Sequence, residues 1–108
     1  MSSNVRVTVW ESVTPPTESL LMQIMLQQKL NPYTWSNRPH DIYSAHKHTF
    51  FKVIYVVDGS ITFKIPLLRK EIILKKGDRI DIPPNMVHSA MVGPEGVVCL
   101  EGHRGESK

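Results

Sequence analysis

The chain has 108 residues, 41% hydrophobic and 21% charged, with a formal net charge of +3. That length supports a single domain, expected to span residues 1–108, with a thin core, and the composition excludes a disordered chain. No apolar run approaches the roughly 20 residues of a membrane span, the start Met1-Ser2-Ser3-Asn4 lacks the features of a signal peptide, and the single Cys99 cannot close an internal disulfide, so the expectation is a cytoplasmic protein.

Residues 5–10 alternate apolar and less apolar side chains, which predicts a strand ended by Pro15-Pro16. Residues 17–29 contain no Gly or Pro and are rich in helix formers. Leu21, Ile24, Met25 and Gln28 share one face at helical spacing, so a short amphipathic helix is expected there. Its apolar stripe reads as packing over a mouth or edge of the fold, with a partner-binding face as the alternative. Asn31-Pro32 stops it.

Beyond Pro32 the pattern is β. Residues 33–36 are short and aromatic, and 37–41 read as a loop. Residues 42–48, 51–57, 60–65, 71–75, 79–82, 87–92 and 96–101 read as strands. Asp58-Gly59, Lys76-Gly77-Asp78, Pro83-Pro84-Asn85 and Gly93-Pro94 separate them. Many short strands with turn chemistry between them predict a sandwich or barrel.

Five histidines carry the chemical interest. His46 and His48 are one residue apart in a segment that reads as a strand, and period-two geometry puts both imidazoles on one face. A shared ion needs a third ligand from elsewhere. His88 follows a Pro-Pro-Asn turn at the start of another strand, and closed barrels bring inward-facing residues of distant strands together. His40 reads as an exposed loop residue and His103 as a solvated tail residue. Glu101, at a strand end, reads more readily as water-facing than as a lumen carboxylate. Cys99 reads as a buried thiol. Trp35, Tyr43, Phe50 and Tyr55 read as packing or as pocket lining. The basic residues, densest at Lys64, Arg69, Lys70, Lys75 and Lys76, lack the aromatic interleaving of a nucleic-acid surface, so no nucleic acid is expected as a partner.

The segment HKHTFFKVIYVVDG, residues 46–59, resembles the first motif of the cupin superfamily: His46, His48 and Gly59 match, and Lys52 stands at the family's glutamate. The segment GDRIDIPPNMVHSAMV, residues 77–92, resembles the second: Gly77, Pro83 and His88 match, Asn85 replaces a glycine and Val92 an asparagine. The resemblance implies an all-β, double-stranded β-helix (jelly-roll) barrel with one short N-terminal helix. It also implies one divalent transition metal ion on His46, His48 and His88, and a homodimer whose contact surface the apolar N-terminal strand and helix can offer. Even-numbered residues from His46 onward near the metal, and His88, Ala90 and Val92, are expected to face the lumen. Imidazole ligands suit zinc, iron, nickel or copper. Asn85 is a mild change, because asparagine tolerates left-handed backbone. Lys52 is not: an ammonium has no lone pair. Either it lies outside the metal's ligand set and leaves an open three-histidine site, or it takes the metal's place in a metal-free pocket for an anionic ligand, or it is a base near the metal. With Phe50 and Tyr43 it is the candidate substrate contact. Two function classes stand: a metal-dependent enzyme on a small organic molecule (a dioxygenase, isomerase or lyase), and a non-catalytic small-ligand-binding module.

Overall fold

The computed structural model describes residues 4–105. Its elements run β1 (Arg6–Thr8), α1 (Glu18–Gln27), β2 (Tyr33–Asn37), β3 (Ile42–His46), β4 (Phe51–Ile65), a short 3₁₀ turn (Pro66–Leu68), β5 (Lys70–Lys75), β6 (Arg79–Ile82) and β7 (His88–Arg104). All strand pairs are antiparallel, in the order β1-β6-β4-β7-β2, with β3 also on β7 and β5 also on β4. The expected all-β architecture with one N-terminal helix is the observed one.

Two expected turns are strand interiors instead. Asp58-Gly59 and Gly93-Pro94 do not end strands: β4 and β7 run unbroken through them for 15 and 17 residues. The β4–β7 register breaks between Val56 and Asp58 and again between Gly59 and Ile61, the mark of bulges that bend long strands around a barrel. Gly59 sits at φ +77°, and a Cβ there would stand 2.0 Å from the Gly96 carbonyl oxygen, so only glycine lets the two strands approach at this bend. The bulges also change which residues face inward. Lys52 and Ile54 line the interior before them, and Ile61 and Phe63 after them.

The interior is packed by Ile54, Val56, Ile61, Phe63, Ile65, Leu74, Ile80, Ile82, Val92 and Cys99, all buried. A second cluster lies on the outside of the sheet, where Leu21 and Met25 of α1 pack with Leu30 on Val53, Tyr55 and Leu100. The helix begins at Thr17, whose side chain accepts from the Leu20 amide, and its buried stripe of Leu21 and Met25 packs on the chain itself, though over the outer face of β4 and β7 rather than over a mouth or edge. Arg79 secures the helix end. Its guanidinium donates to both carboxylate oxygens of Asp81 (2.8 and 3.0 Å) and to the Gln28 side chain (2.7 Å), and it lies over the Tyr55 ring. Among the described residues no helix is long and apolar enough to cross a membrane.

Candidate metal centre

His46 closes β3 and is the register partner of His88, which opens β7, so the two face each other across one strand pair. Their ring centroids are 4.4 Å apart. β3 stops at His46, two residues short of its expected end, and His48 lies in the loop that follows. Period-two alternation therefore does not place His48. The loop is tied down by the Asn85 amide, which donates to the His48 carbonyl at 2.6 Å. Asn85 takes the left-handed conformation, φ +64°, that the Pro-Pro-Asn turn requires. The turn before His88 thus holds the His48 backbone, and the His48 ring lies 4.8 Å from that of His46 and 5.6 Å from that of His88.

The three imidazoles are placed to share one metal ion: one potential ligand atom from each lies within 4.8 Å of the others. Their hydrogen bonds fix which nitrogen is free. His46 Nδ1 lies 2.6 Å from the Ser44 carbonyl and His88 Nδ1 lies 2.8 Å from the Met86 carbonyl. A carbonyl only accepts, so each Nδ1 carries the proton and each Nε2 keeps its lone pair. Carbonyl-fixed imidazoles of this kind are the usual support of metal ligands. Among the described residues, Nε2 of His48 is the buried side-chain polar atom left without a hydrogen-bond partner. Burial, with the nearby His46, Lys52 and His48, pushes the His88 imidazole down to about 4 against the Met86 hydrogen bond, keeping it neutral at physiological pH. Burial and Lys52 also lower His48. Two pinned Nδ1–H groups, an orphaned Nε2, and the lowered values of His48 and His88 all fit a divalent transition metal.

The site opens on a cavity of about 270 Å³. Ile54, Ile61, Phe63 and Ala90 form its apolar wall, and Tyr33, Trp35, Tyr43, His46, Lys52, His88 and Glu101 its polar one. Of the residues singled out as substrate contacts, Tyr43 and Lys52 line this cavity. Phe50 instead stacks on His48 and lies tilted against His103, at centroid distances of 5.0 and 4.2 Å. Burial raises the Tyr43 phenol, with smaller contributions from Cys99 and Asp41, and its hydroxyl donates to Asn37 Oδ1.

Two residues differ from expectation. Glu101 does not face water: it is 5% exposed and lies on the cavity wall. Its Oε2 accepts from the Tyr33 hydroxyl (2.7 Å) and from His103 Nε2 (2.6 Å), and its Oε1 from Trp35 Nε1 (3.0 Å). Lys52 Nζ lies 3.5 Å from Oε2. Burial alone would raise this carboxyl, but the His103 and Tyr33 hydrogen bonds and the Lys52 charge together hold it below its ordinary value. His103, expected in solvent, is half-buried as a donor to Glu101. The physical reason is shared: β7 continues to Arg104, three residues past the expected strand end, so alternation carries Glu101 and His103 inward with Cys99. The signal in the sequence was the spacing of two from the buried Cys99. Glu101 lies outside the three-histidine cluster, so it does not take the place of the family's glutamate as a close fourth ligand. His40 is exposed and Cys99 fully buried, as expected.

Barrel and histidine cluster together define a protein with the cupin fold, the double-stranded β-helix that the two sequence segments resemble. The chain is similar to an RmlC-like cupin from Shewanella frigidimarina (TM-score 0.62, 22% identity, covering 73% of this chain and 68% of that one) and to KdgF from a Halomonas species (TM-score 0.59, 16% identity, 94% and 82%). It is also similar to a chain from the structures of the DMSP lyases RdDddP and RnDddQII (TM-score 0.65, 23% identity), where the match covers 72% of this chain but 40% of that one. No family model matches the sequence, and no curated protein matches it.

Proposed function

We propose that this protein is a metal-dependent enzyme acting on a small organic molecule, with one divalent transition metal ion (zinc, iron or nickel) held by His46, His48 and His88. The observation that carries this reading is the pair of Nδ1–H···O=C hydrogen bonds on His46 and His88, which leaves their Nε2 lone pairs available beside the orphaned Nε2 of His48. Such an ion supplies Lewis acidity, polarising a substrate oxygen at its open positions. The chain supplies the rest. Ile54, Ile61 and Phe63 exclude water from one side of the cavity. Tyr43 lines the cavity with its hydroxyl donated to Asn37 Oδ1, which fixes the phenol as part of the polar wall beside the ion. A Lewis-acidic ion beside a half-apolar cavity suits reactions at a polarised substrate oxygen, such as an isomerisation or a lyase reaction. A chain similar to this one comes from proteins described as lyases, in keeping with that class. The cavity is slightly smaller than the roughly 300–1,000 Å³ of pockets for drug-sized ligands, which supports a small substrate.

Lys52 is compatible with a cation nearby because Glu101 offsets its charge. The test is elemental analysis of protein purified without an affinity tag, with His46→Ala and His88→Ala alongside. Near-stoichiometric metal lost in both variants supports the enzyme. Protein that carries no metal and keeps a small anion favours the alternative, a metal-free binding module built around Lys52.

A homodimer is part of the same proposal. β1 ends the strand order, and Val7 and Val9 beside it are 40% and 58% exposed, as is Leu26 of α1 at 53%. A second copy can cover this edge. Light scattering across a dilution series tests it, with a constant monomer mass as the contrary result.

A further inference from the structure

We propose that the ligand of this cavity is a small carboxylate anion and that Lys52 anchors its charged end, an inference that rests on the metal reading above. The argument begins with Glu101, whose oxygens accept from Tyr33, Trp35 and His103 at 2.6–3.0 Å. Three donors at these distances satisfy a buried carboxylate without further help. Lys52 adds an ion pair at 3.5 Å, longer than the about 2.7–2.9 Å of a charge-assisted hydrogen bond. An ammonium carries three N–H donors, and this one is only 13% exposed while lining the cavity. Glu101 is satisfied by its three closer donors, so the N–H groups that Lys52 turns to the cavity point to an acceptor that enters it.

Charge balance leads to the same ligand. Lys52 and Glu101 cancel, the tyrosines lining the cavity are neutral, and the histidine cluster offers neutral ligands. A bound dication therefore keeps its whole charge in a half-apolar enclosure, because Glu101 is already committed to the wall. A neutral ligand leaves that charge uncompensated. A carboxylate offsets it and at the same time supplies oxygens for the Lys52 donors.

The experiment uses the full chain loaded with cobalt(II), whose visible absorption reports both occupancy of the histidine site and entry of a ligand beside it. Lactate and its neutral isostere lactamide are titrated against the wild type and Lys52→Gln. The expected result is tighter binding of lactate in the wild type, with the lactate-to-lactamide affinity ratio falling about tenfold or more in Lys52→Gln while the cobalt spectrum is unchanged. If the glutamine variant fails to fold, Lys52→Arg carries the test by keeping the lactate preference. An equal ratio in wild type and Lys52→Gln, or a preference lost in a folded Lys52→Arg, overturns the anchor and leaves the metal reading intact. Absence of cobalt bands in the wild type overturns the metal reading itself.

Discussion

Lys52 of β4 and Glu101 of β7 are diagonal neighbours inside the barrel: Lys52 is in register with His103 and Ile54 with Glu101, and the Lys52 ammonium reaches back to within 3.5 Å of the carboxylate. A cation stands where the resembled motif has an anion, and an anion two strand positions away answers it.

The first prediction concerns pH. Hydrogen bonds from His103 and Tyr33, with the Lys52 charge, hold the folded Glu101 carboxyl below its ordinary value of 4.5. A carboxyl depressed by folding stabilises the folded state above its unfolded value, and that contribution is lost as pH falls below 4.5 through the folded value. Urea denaturation across the acid range will show stability falling in that window. Glu101→Gln will be less stable at neutral pH by about 1–3 kcal/mol, and its acid slope will be shallower.

Gly59 gives a prediction on the barrel bend. Gly59→Ala places a methyl 2.0 Å from the Gly96 carbonyl oxygen at a positive φ. The expected loss is at least about 3 kcal/mol, measured by chemical denaturation. A loss under about 1 kcal/mol contradicts the close approach of β4 and β7 there.

Asn85 links the second-motif turn to the His48 loop. Asn85→Gly keeps the left-handed backbone and is expected to change stability and metal affinity little. Asn85→Val strains that backbone, costing about 1–2 kcal/mol, and weakens metal binding through the loosened His48 loop. Calorimetric titration of zinc into the three proteins checks the order.

Cys99 is fully buried, and burial, with Glu101 nearby, pushes its thiol up to about 12. The native protein will not react with a disulfide reagent at mildly alkaline pH, and the unfolded protein will release one equivalent of chromophore. Rapid labelling of the native state contradicts the burial.

Arg79 anchors the end of α1 through Gln28 and Asp81. Arg79→Met removes those bonds and leaves Asp81 without its partner, an expected loss of about 2 kcal/mol. Hydrogen exchange will show faster opening in α1 than in β4, where the barrel core is retained.

What the sequence determined by itself was local. A Gly- and Pro-free run rich in helix formers specified the helix, turn residues marked off most strands, and the HKH and PPNMVH segments named the three histidines and the cupin resemblance. Those signals survive because helix propensity, side-chain alternation and left-handed turns act over a few residues. Tertiary structure decided what depends on pairing between distant segments. Asp58-Gly59 looks like a turn in isolation and becomes a bulge because β7 is present to pair with both sides of it. His48 joins the histidine cluster through the Asn85 amide rather than through its own strand. Glu101 and His103 turn inward because β7 stays paired with β4 to Arg104, and only there do they meet Lys52, 49 and 51 positions earlier in the chain. Contacts over such separations are set by sheet register, which no short window of residues encodes.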